Sequence, residues 1–164
     1  MSKNFLWAPW RMDYITNPNK GKNIFVEKAN SNDDRENLVL YRGENAFILM
    51  NLYPYNNGHL MIAPYKVYNN LVDLDSDTFI EITKLTQKSI AILKNKLNHQ
   101  GINFGLNMGE AAGAGIKDHL HFHIVPRWIG DSNFMPIVGQ TNVVMQGLYD
   151  TYDLLKPAFD LLDK

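Results

Sequence analysis

The 164-residue chain contains no cysteine. This absence excludes disulfide bonds, thiolate metal sites and a cysteine nucleophile together. Any catalytic or binding chemistry must therefore come from histidine, carboxylate, hydroxyl or backbone groups.

An excess of charge of either sign is also missing, because 16 Lys and Arg residues oppose 17 Asp and Glu residues for a formal net charge of -1. No overall field would draw such a chain onto nucleic acid or an anionic membrane. We therefore expect neither as a partner, and any phosphate group must be bound by local contacts.

Long apolar runs are missing as well. The first residues hold a short apolar patch, but Pro9 and Arg11 interrupt it before the core of a signal peptide could form. No other apolar run reaches the roughly 20 residues that a membrane-spanning helix needs. These features lead us to expect a cytoplasmic location.

The length of the chain and its 45% hydrophobic content suit one domain covering residues 1–164. Residues 16–37 are polar and rich in turn formers, apart from Ile24, Phe25 and Val26. This composition predicts a surface excursion with one short apolar anchor.

Apolar runs bounded by turn signals predict strands over 45–54, 59–65, 102–109 and 119–126. The turn signal "YNNG" joins the first two strands into an antiparallel hairpin. A small, glycine-rich loop over 110–118 joins the last two, and Pro126 is expected to close the final strand.

Helical spacing of apolar residues predicts one long helix between the second and third strands. Asp75 or Ser76 would cap its start, and Gly101 would stop it. The tail "LYDTYDLLKPAFDLLDK" also has helical spacing but contains Pro157. The tail should therefore form a kinked helix or two short helices.

Three of the five histidines stand at alternate positions in the run "KDHLHFHIVPRW". Side chains alternate faces along a strand, so His119, His121 and His123 should share one face, opposite an apolar set that must look into the core. The histidines would then occupy a solvent-accessible or ligand-facing surface. His99, near the polar end of the long helix, is expected to be an ordinary exposed histidine.

The histidine run allows three interpretations. A metal ion is one, but neighbours ~7 Å apart and outer members ~14 Å apart on a regular strand could not all reach one ion. Such a site would need help from His59, Asp118 or Asp131. A second interpretation is an exposed strand face without chemistry. The third is catalysis, in which a neutral imidazole attacks phosphorus and its neighbours donate hydrogen bonds to phosphate oxygens.

The segment "GEAAGAG" before the histidines bears on this choice. Small residues allow backbone N–H groups to approach an anion closely. A flexible loop without a ligand has the same composition, so the segment favours an anion site only in combination with the histidines.

The string from His119 to Val125 fits the alternating histidine and apolar signature of the histidine triad family of nucleotide-binding hydrolases and transferases. The segments "NNGHLMIAPY" and "LNMG" resemble that family's strand and its phosphate-contacting approach to the triad. The flanks "LWAPWRMDYI" and "VPRWIGDSNFMP" resemble a bacterial and archaeal branch similar to diadenosine tetraphosphate phosphorylases, so the resemblance covers nearly the whole chain.

The resemblance implies an α+β fold, with an antiparallel sheet of about five strands, one long helix and a C-terminal helical tail, paired into a homodimer. It implies a nucleotide substrate, namely an adenine dinucleoside polyphosphate or a related nucleotide, and no cofactor. The alternative is a nucleotide-binding partner or sensor with little turnover.

The resemblance also implies residue roles. His121 would attack the α-phosphate to form a covalent nucleotidyl-histidine, with His123 on the leaving-group side and His119 and His59 in the orienting hydrogen-bond network. The implied substrate contacts are Asn51 with the ribose, Asn107 with phosphate, Leu49 with the base, and the backbone amides of Ala114 and Gly115 with phosphate.

One expected departure concerns metal. Many relatives carry a Cys-x-x-Cys zinc half-site where this chain has Asn23 and Val26. The resemblance therefore predicts that the structural zinc is absent and that the protein binds no metal.

Overall fold

The computed structural model describes residues 23–131 and 146–162. Its five strands form one sheet in the order β1-β2-β3-β5-β4, and every neighbouring pair is antiparallel. The elements in chain order are α1 (Ile24–Asn30), β1 (Val39–Arg42), β2 (Ala46–Met50), β3 (Leu60–Pro64), α2 (Ser76–Leu97), β4 (Gly101–Leu106), β5 (Phe122–Arg127) and α3 (Leu148–Phe159). This arrangement confirms the expected α+β fold.

The two apolar faces of the sheet pack against different helices. One face packs against α2 and α3, and its core includes Ile48, Leu60, Ile62, Phe122 and Ile124. The other face packs against α1 through a smaller cluster that contains Phe25, Val39, Phe47, Leu49, Met61 and Ala63. Both faces are covered, which explains why β2 and β3 are buried along their whole length instead of alternating.

The predicted hairpin is confirmed by the pairing of β2 with β3, in which Ile48 stands opposite Ile62. The connection between the strands runs from 51 to 59, far longer than a two-residue turn. Its next-to-last residue is Gly58, whose φ of 70° lies in the left-handed region that favours glycine. A Cβ built there would lie 2.4 Å from Leu97 Cδ1, so the Leu97 side chain would also have to shift.

The long helix begins where the sequence predicts. Asp75 is its N-cap, and the Asp75 carboxylate accepts a hydrogen bond from Thr78 N at 2.9 Å. The predicted stop at Gly101 is wrong, because the helix ends at Asn98 with φ 48° and Gly101 begins β4. Asparagine tolerates the left-handed conformation better than most residues, so it can end a helix without glycine.

Two elements were not predicted. The segment expected to be a surface excursion contains α1, and the anchor residue Phe25 is fully buried. Seven residues are too few for helical periodicity to appear in the sequence. The four-residue strand β1 was missed for the same reason, since its burial pattern does not alternate.

The end of the sheet differs in detail from the prediction. Strand β5 begins at Phe122, three residues later than expected, and Pro126 lies inside it. Pro126 stands beyond Ile124, the last residue of β5 that pairs with β3, where a missing N–H donor is tolerated. The tail forms a single helix, α3, that contains Pro157, so the alternative of two short helices is wrong.

Two expectations on the whole chain stay predictions. Elements from β1 to α3 share one core cluster, but a single domain over residues 1–164 includes segments outside the described residues. Within the described ranges, none of the helices has both the length and the apolar character needed to cross a membrane. The cytoplasmic location also stays a prediction.

Candidate active site

The three clustered histidines lie on the face of the sheet that carries Phe25. His119 and His121 precede β5, and His123 is its second residue, paired with Met61 of β3 and Gly105 of β4. The apolar residues between them, Leu120 and Phe122, are buried, as predicted from the alternation.

Of the two surfaces expected for the histidine face, solvent-accessible or ligand-facing, the solvent-accessible one is wrong for two of its members. His119 is 1% exposed and His121 is 5% exposed. Phe25 of α1 covers both rings, with centroid distances of 5.2 Å to His119 and 4.9 Å to His121. His99 is buried as well, at 7% exposure, so its assignment as an exposed histidine is also wrong.

The hydrogen bond of His121 determines which of its nitrogens is nucleophilic. His121 Nδ1 lies 2.9 Å from the backbone oxygen of His119, which can only accept, so Nδ1 must donate. In the neutral ring, Nε2 then carries the lone pair. Burial lowers the pKa of His121, against a smaller opposing effect of the His119 carbonyl. The ring is therefore neutral at cellular pH, in the form that a nucleophile requires.

His59 and His123 form a directly hydrogen-bonded pair. His59 Nε2 lies 2.9 Å from His123 Nδ1. On its other side, His59 Nδ1 accepts from Tyr55 N at 3.1 Å, so the proton of the neutral ring is on Nε2. His59 therefore donates to His123 Nδ1, and His123 in turn carries its proton on Nε2. The N–H of His123 Nε2 is therefore the free donor of the pair, and the His123 ring lies next to His121.

The pKa values of this pair are strongly lowered. Burial lowers the pKa of His59 to about 3, and the neighbouring histidines add to the effect. Burial, together with His121, lowers the pKa of His123 to about 4. Both rings are neutral in the resting protein, so the tautomers just assigned persist at neutral pH.

These shifts predict a pH dependence of stability. Between the unfolded value of about 6.5 and the lowered folded values, the unfolded chain binds more protons than the folded one, so the free energy of unfolding falls as the pH drops. For His59 the slope is about 1.4 kcal/mol per pH unit over this window. Urea unfolding between pH 7 and pH 4 measures it.

His59→Asn is the comparison variant, because its amide oxygen can still accept from Tyr55 N. Its stability should depend less steeply on pH than that of the original protein. Equal slopes would contradict the lowered pKa of His59.

The ring of His119 lies between the end of β3 and the start of α1. His119 Nε2 donates to the backbone oxygen of Pro64 at 2.8 Å, and its Nδ1 lies 3.1 Å from Asn23 Oδ1. Burial lowers the pKa of His119, which the Pro64 carbonyl partly opposes. The single proton of the neutral ring belongs on Nε2, where the contact is shorter, so Nδ1 and Asn23 Oδ1 are both acceptors and form no hydrogen bond. His119 is therefore tied to the sheet through Pro64, and both of its nitrogens face protein groups.

Asn23 and Val26, which stand at the positions of the zinc half-site, do not fit a metal. Val26 offers no donor atom, and Asn23 Oδ1 already accepts from Phe25 N at 3.1 Å and Val26 N at 3.3 Å as the N-cap of α1. Throughout the described residues, no group of three or more His, Cys, Asp or Glu side chains is arranged to hold a metal ion.

Removing the cap should loosen α1. Asn23→Ala is expected to lower the free energy of unfolding by about 0.5–2 kcal/mol, the range for lost N-caps. Thermal or urea unfolding measures the loss. Asn30→Ala, at the exposed last residue of the same helix, is the control and should change stability by less than about 0.5 kcal/mol. Equal effects of the two substitutions would contradict the capping role.

Of the residues expected to bind the nucleoside, Asn51 lies beside His59 and Leu49 lies in the core. Asn51 follows β2, and its Nδ2 lies 3.4 Å from His59 Nδ1 while its Oδ1 accepts from Tyr53 N at 3.0 Å. Leu49 is fully buried in the cluster around Phe25. The ribose role of Asn51 and the base role of Leu49 stay predictions.

A cavity of about 310 Å³ opens on the other side of His123, and Asn107 lines it together with Tyr55, Gly105 and Arg127. The structure thus brings Asn107 near a triad member. Its phosphate contact stays a prediction.

In the loop before the histidines, one of the two backbone amides expected to bind phosphate already donates a hydrogen bond within the loop. Ala114 N donates to Gly109 O at 3.2 Å, and Ala114 is 8% exposed, whereas Gly115 is exposed. Ile116 packs on the cluster around Phe25, which anchors the loop on the histidine face. Phosphate binding by the amides of Ala114 and Gly115 stays a prediction.

The partners that orient the histidines were not predicted from the sequence. The backbone of Tyr55 and of Pro64 supplies two of them, and a backbone group leaves no mark in sequence. Phe25 could have been found, because it is the aromatic member of the predicted apolar anchor.

Comparison with known proteins agrees with this geometry. The family described as the HIT domain matches residues 32–128, more than half of the chain. An AP-4-A phosphorylase of Mycobacterium tuberculosis is 42% identical over 159 residues, which cover 92% of this chain and 81% of the relative. A bis(5'-adenosyl)-triphosphatase of Dictyostelium discoideum is 29% identical over 93 residues, covering 57% of this chain and 62% of that protein.

Solved structures show the same fold. A zinc-bound histidine triad family protein from Mycobacterium smegmatis aligns with a TM-score of 0.63 at 24% identity, covering 77% of this chain and 86% of that one. A hypothetical histidine triad nucleotide-binding protein from Sulfolobus tokodaii aligns with a TM-score of 0.62 at 25% identity, covering 77% and 85%. The chain belongs to the histidine triad (HIT) family.

Proposed function

We propose that the protein cleaves adenine dinucleoside polyphosphates by transferring a nucleotidyl group to His121 and then to an acceptor. The observation that carries the proposal is the pairing of a neutral His121, unprotonated at Nε2, with a His123 that carries its proton on Nε2. A nucleophile and a hydrogen-bond donor therefore stand side by side, with ring centroids 4.9 Å apart. The similarity to the phosphorylase and the triphosphatase supports the substrate class.

In the first step, the lone pair of His121 Nε2 attacks the α-phosphorus of the substrate. A P–N bond forms while the bond from that phosphorus to the bridging oxygen breaks. The departing oxygen takes the bond's electron pair, and His123 Nε2–H donates a hydrogen bond that stabilises its negative charge. His59 holds His123 in the tautomer that makes this donor available.

In the second step, an acceptor oxygen attacks the nucleotidyl phosphorus. The P–N bond breaks and His121 Nε2 regains its lone pair. The acceptor releases its proton to the solvent, and His123 keeps its own proton throughout. The cycle leaves both histidines as they began and involves no change of oxidation state.

The remaining site residues would hold the substrate across this pair. We place the ribose at Asn51, next to His59, and phosphate oxygens at Asn107 and at the amides of Ala114 and Gly115. The base would lie near Leu49. The cavity beside His123 has room for the departing phosphate chain.

Incubation with diadenosine tetraphosphate, with and without inorganic phosphate, tests the reaction and identifies the acceptor. Attack at the α-phosphorus releases ATP in both cases. The second product is AMP if water accepts the group and ADP if phosphate does. Two molecules of ADP without ATP would contradict attack at the α-phosphorus. Tight nucleotide binding without turnover would favour the alternative of a nucleotide-binding sensor.

We also propose that the protein forms a homodimer through β4 and the neighbouring surface of α2. Among the described strands, β4 pairs only with β5, so its other edge is open. Phe104 on β4 and Phe79 on α2 are 51% and 45% exposed, and both rings lie near Phe122. Such an exposed aromatic surface beside an open edge suits an isologous contact.

Light scattering measures the oligomeric state. The protein should have the mass of two chains, and Phe104→Glu should give the mass of one. Ile129→Glu, which places the same charge on an exposed residue beyond β5, should stay dimeric. A monomeric original protein would contradict the proposal.

A further inference from the structure

We propose that Asp131 is a positioning residue for the histidine site. Asp131 binds Asn56 and so holds the turn in which Tyr55 N donates a hydrogen bond to His59 Nδ1. This inference rests on the proposed function, since the tautomer of His59 matters for catalysis only if His123 must donate a hydrogen bond to the leaving group. Asp131 lies four positions past the end of β5 and acts on the histidines through Asn56.

The Asp131 carboxylate ties two segments together. Its side chain is 8% exposed, and its Oδ2 accepts from Arg127 Nε at 2.7 Å and from Asn56 Nδ2 at 2.7 Å. Its Oδ1 accepts from Arg127 Nη2 at 2.7 Å, and its Oδ2 also accepts from Trp128 N at 3.0 Å. Arg127 is the last residue of β5 and Trp128 follows it, whereas Asn56 belongs to the connection between β2 and β3. Charge-assisted bonds of this length are the strong ones.

Asn56 passes this anchoring to His59. Its amide Nδ2 also donates to the backbone oxygen of Pro126 at 3.2 Å, so two acceptors on the β5 side fix its side chain. The backbone oxygen of Asn56 accepts from His59 N at 3.2 Å. Asn56, which forms a clamp with Asp131, therefore fastens the turn from 55 to 59 to the segment at the end of β5. Its backbone oxygen also bonds to His59, the last residue of the turn.

The turn determines which ring nitrogen of His59 carries the proton. Tyr55, the residue before Asn56, donates its backbone N–H to His59 Nδ1 at 3.1 Å and stacks its ring on the imidazole at 4.8 Å. The second donor facing Nδ1, the Asn51 amide, is longer at 3.4 Å. If the turn moves, His59 Nδ1 loses its better donor, and the proton can occupy either nitrogen. A His59 protonated on Nδ1 cannot donate to His123, whose own Nε2–H is then no longer fixed.

The arrangement predicts that loosening the clamp lowers catalysis more than binding. Asn56→Ala leaves the Asp131–Arg127 ion pair in place and removes the bonds from the Asn56 amide to Asp131 and Pro126, together with the bond that Asn57 N donates to Asn56 Oδ1. Asp131→Asn removes the charge while keeping the shape. Both variants should lower kcat for diadenosine tetraphosphate by about ten- to a hundredfold with little change in KM, as expected when a catalytic group is misoriented.

Nitrogen-15 spectra of the histidine rings in the resting protein give the deciding measurement. The original protein should show His59 protonated on Nε2, and both variants should show a mixture of the two tautomers. Asn103→Ala is the control, because it removes the amide that accepts from Arg127 Nη1 without touching the turn. This control should leave the His59 tautomer unchanged.

The outcomes separate the two proposals. A His59 tautomer unchanged in Asn56→Ala, whether or not kcat falls, overturns the positioning role of the clamp. A changed tautomer with unchanged kcat also overturns it. If the original protein turns over no dinucleoside polyphosphate, the proposed function fails, and the spectra still report whether the clamp sets the tautomer. Dispersed amide spectra of Asn56→Ala confirm that the variant is folded.

Discussion

Replacing His121 with alanine is expected to lower turnover of diadenosine tetraphosphate by at least about a thousandfold, because the substitution removes the atom that attacks phosphorus. Binding should fall much less, since the proposed nucleoside contacts remain. Turnover is measured by separating the nucleotide products, and binding by calorimetry with a nonhydrolysable analogue.

The control for this substitution is His99→Ala. His99 is also a buried histidine, with its Nε2 3.4 Å from a backbone oxygen, that of Ile90, but it lies beyond the end of α2 and outside the site. His99→Ala should lower stability and leave kcat within a few fold of the original value. Turnover by a folded His121→Ala protein at the original rate would show that another group forms the intermediate.

His123→Asn should produce the second large effect, and its size should depend on the leaving group. Removing a preorganised hydrogen-bond donor to a developing negative charge costs about a hundred- to a thousandfold. We expect a loss of that order with diadenosine tetraphosphate. With the nitrophenyl ester of AMP, whose leaving group spreads its charge over the aromatic ring, the same variant should lose less than about tenfold.

The comparison of two substrates separates stabilisation of the leaving group from damage to the fold. His99→Asn, the matched substitution at a buried histidine outside the site, should affect both substrates alike and slightly. If His123→Asn lowers turnover of both substrates equally, His123 does not stabilise the leaving group.

Much of the fold follows from local sequence patterns. The hairpin of β2 and β3, the start of α2 at Asp75 and the opposite directions of the histidines and Phe122 all rest on periodicity, caps and turns, which act over a few residues. The predicted end of α2 was wrong because Asn98 and Gly101 are both residue types that can end a helix, and only the packed structure selects between them.

The burial of the histidine face could not be predicted, because it depends on α1, which lies about a hundred residues earlier in the chain. Alternation identifies which residues share a face, but not what covers it. Phe25 of α1 covers His119 and His121, and this contact turns an apparently exposed row of imidazoles into neutral, buried groups.

The candidate histidines were identified from the sequence, whereas their tautomers were not. A tautomer depends on the group that faces each ring nitrogen, and here those groups include the backbone of Tyr55 and His119. The chemistry of the site therefore depends on loop geometry that sequence patterns do not encode.

The covalent intermediate is the most direct test of the account. The protein is mixed with excess diadenosine tetraphosphate without phosphate, quenched within milliseconds, and digested for mass spectrometry under conditions that preserve phosphoramidates. We predict an added adenylyl group on the peptide that contains residues 119–123, assigned by fragmentation to His121 and absent from His121→Ala. A folded, active protein with an adenylyl group on any other residue would contradict the account.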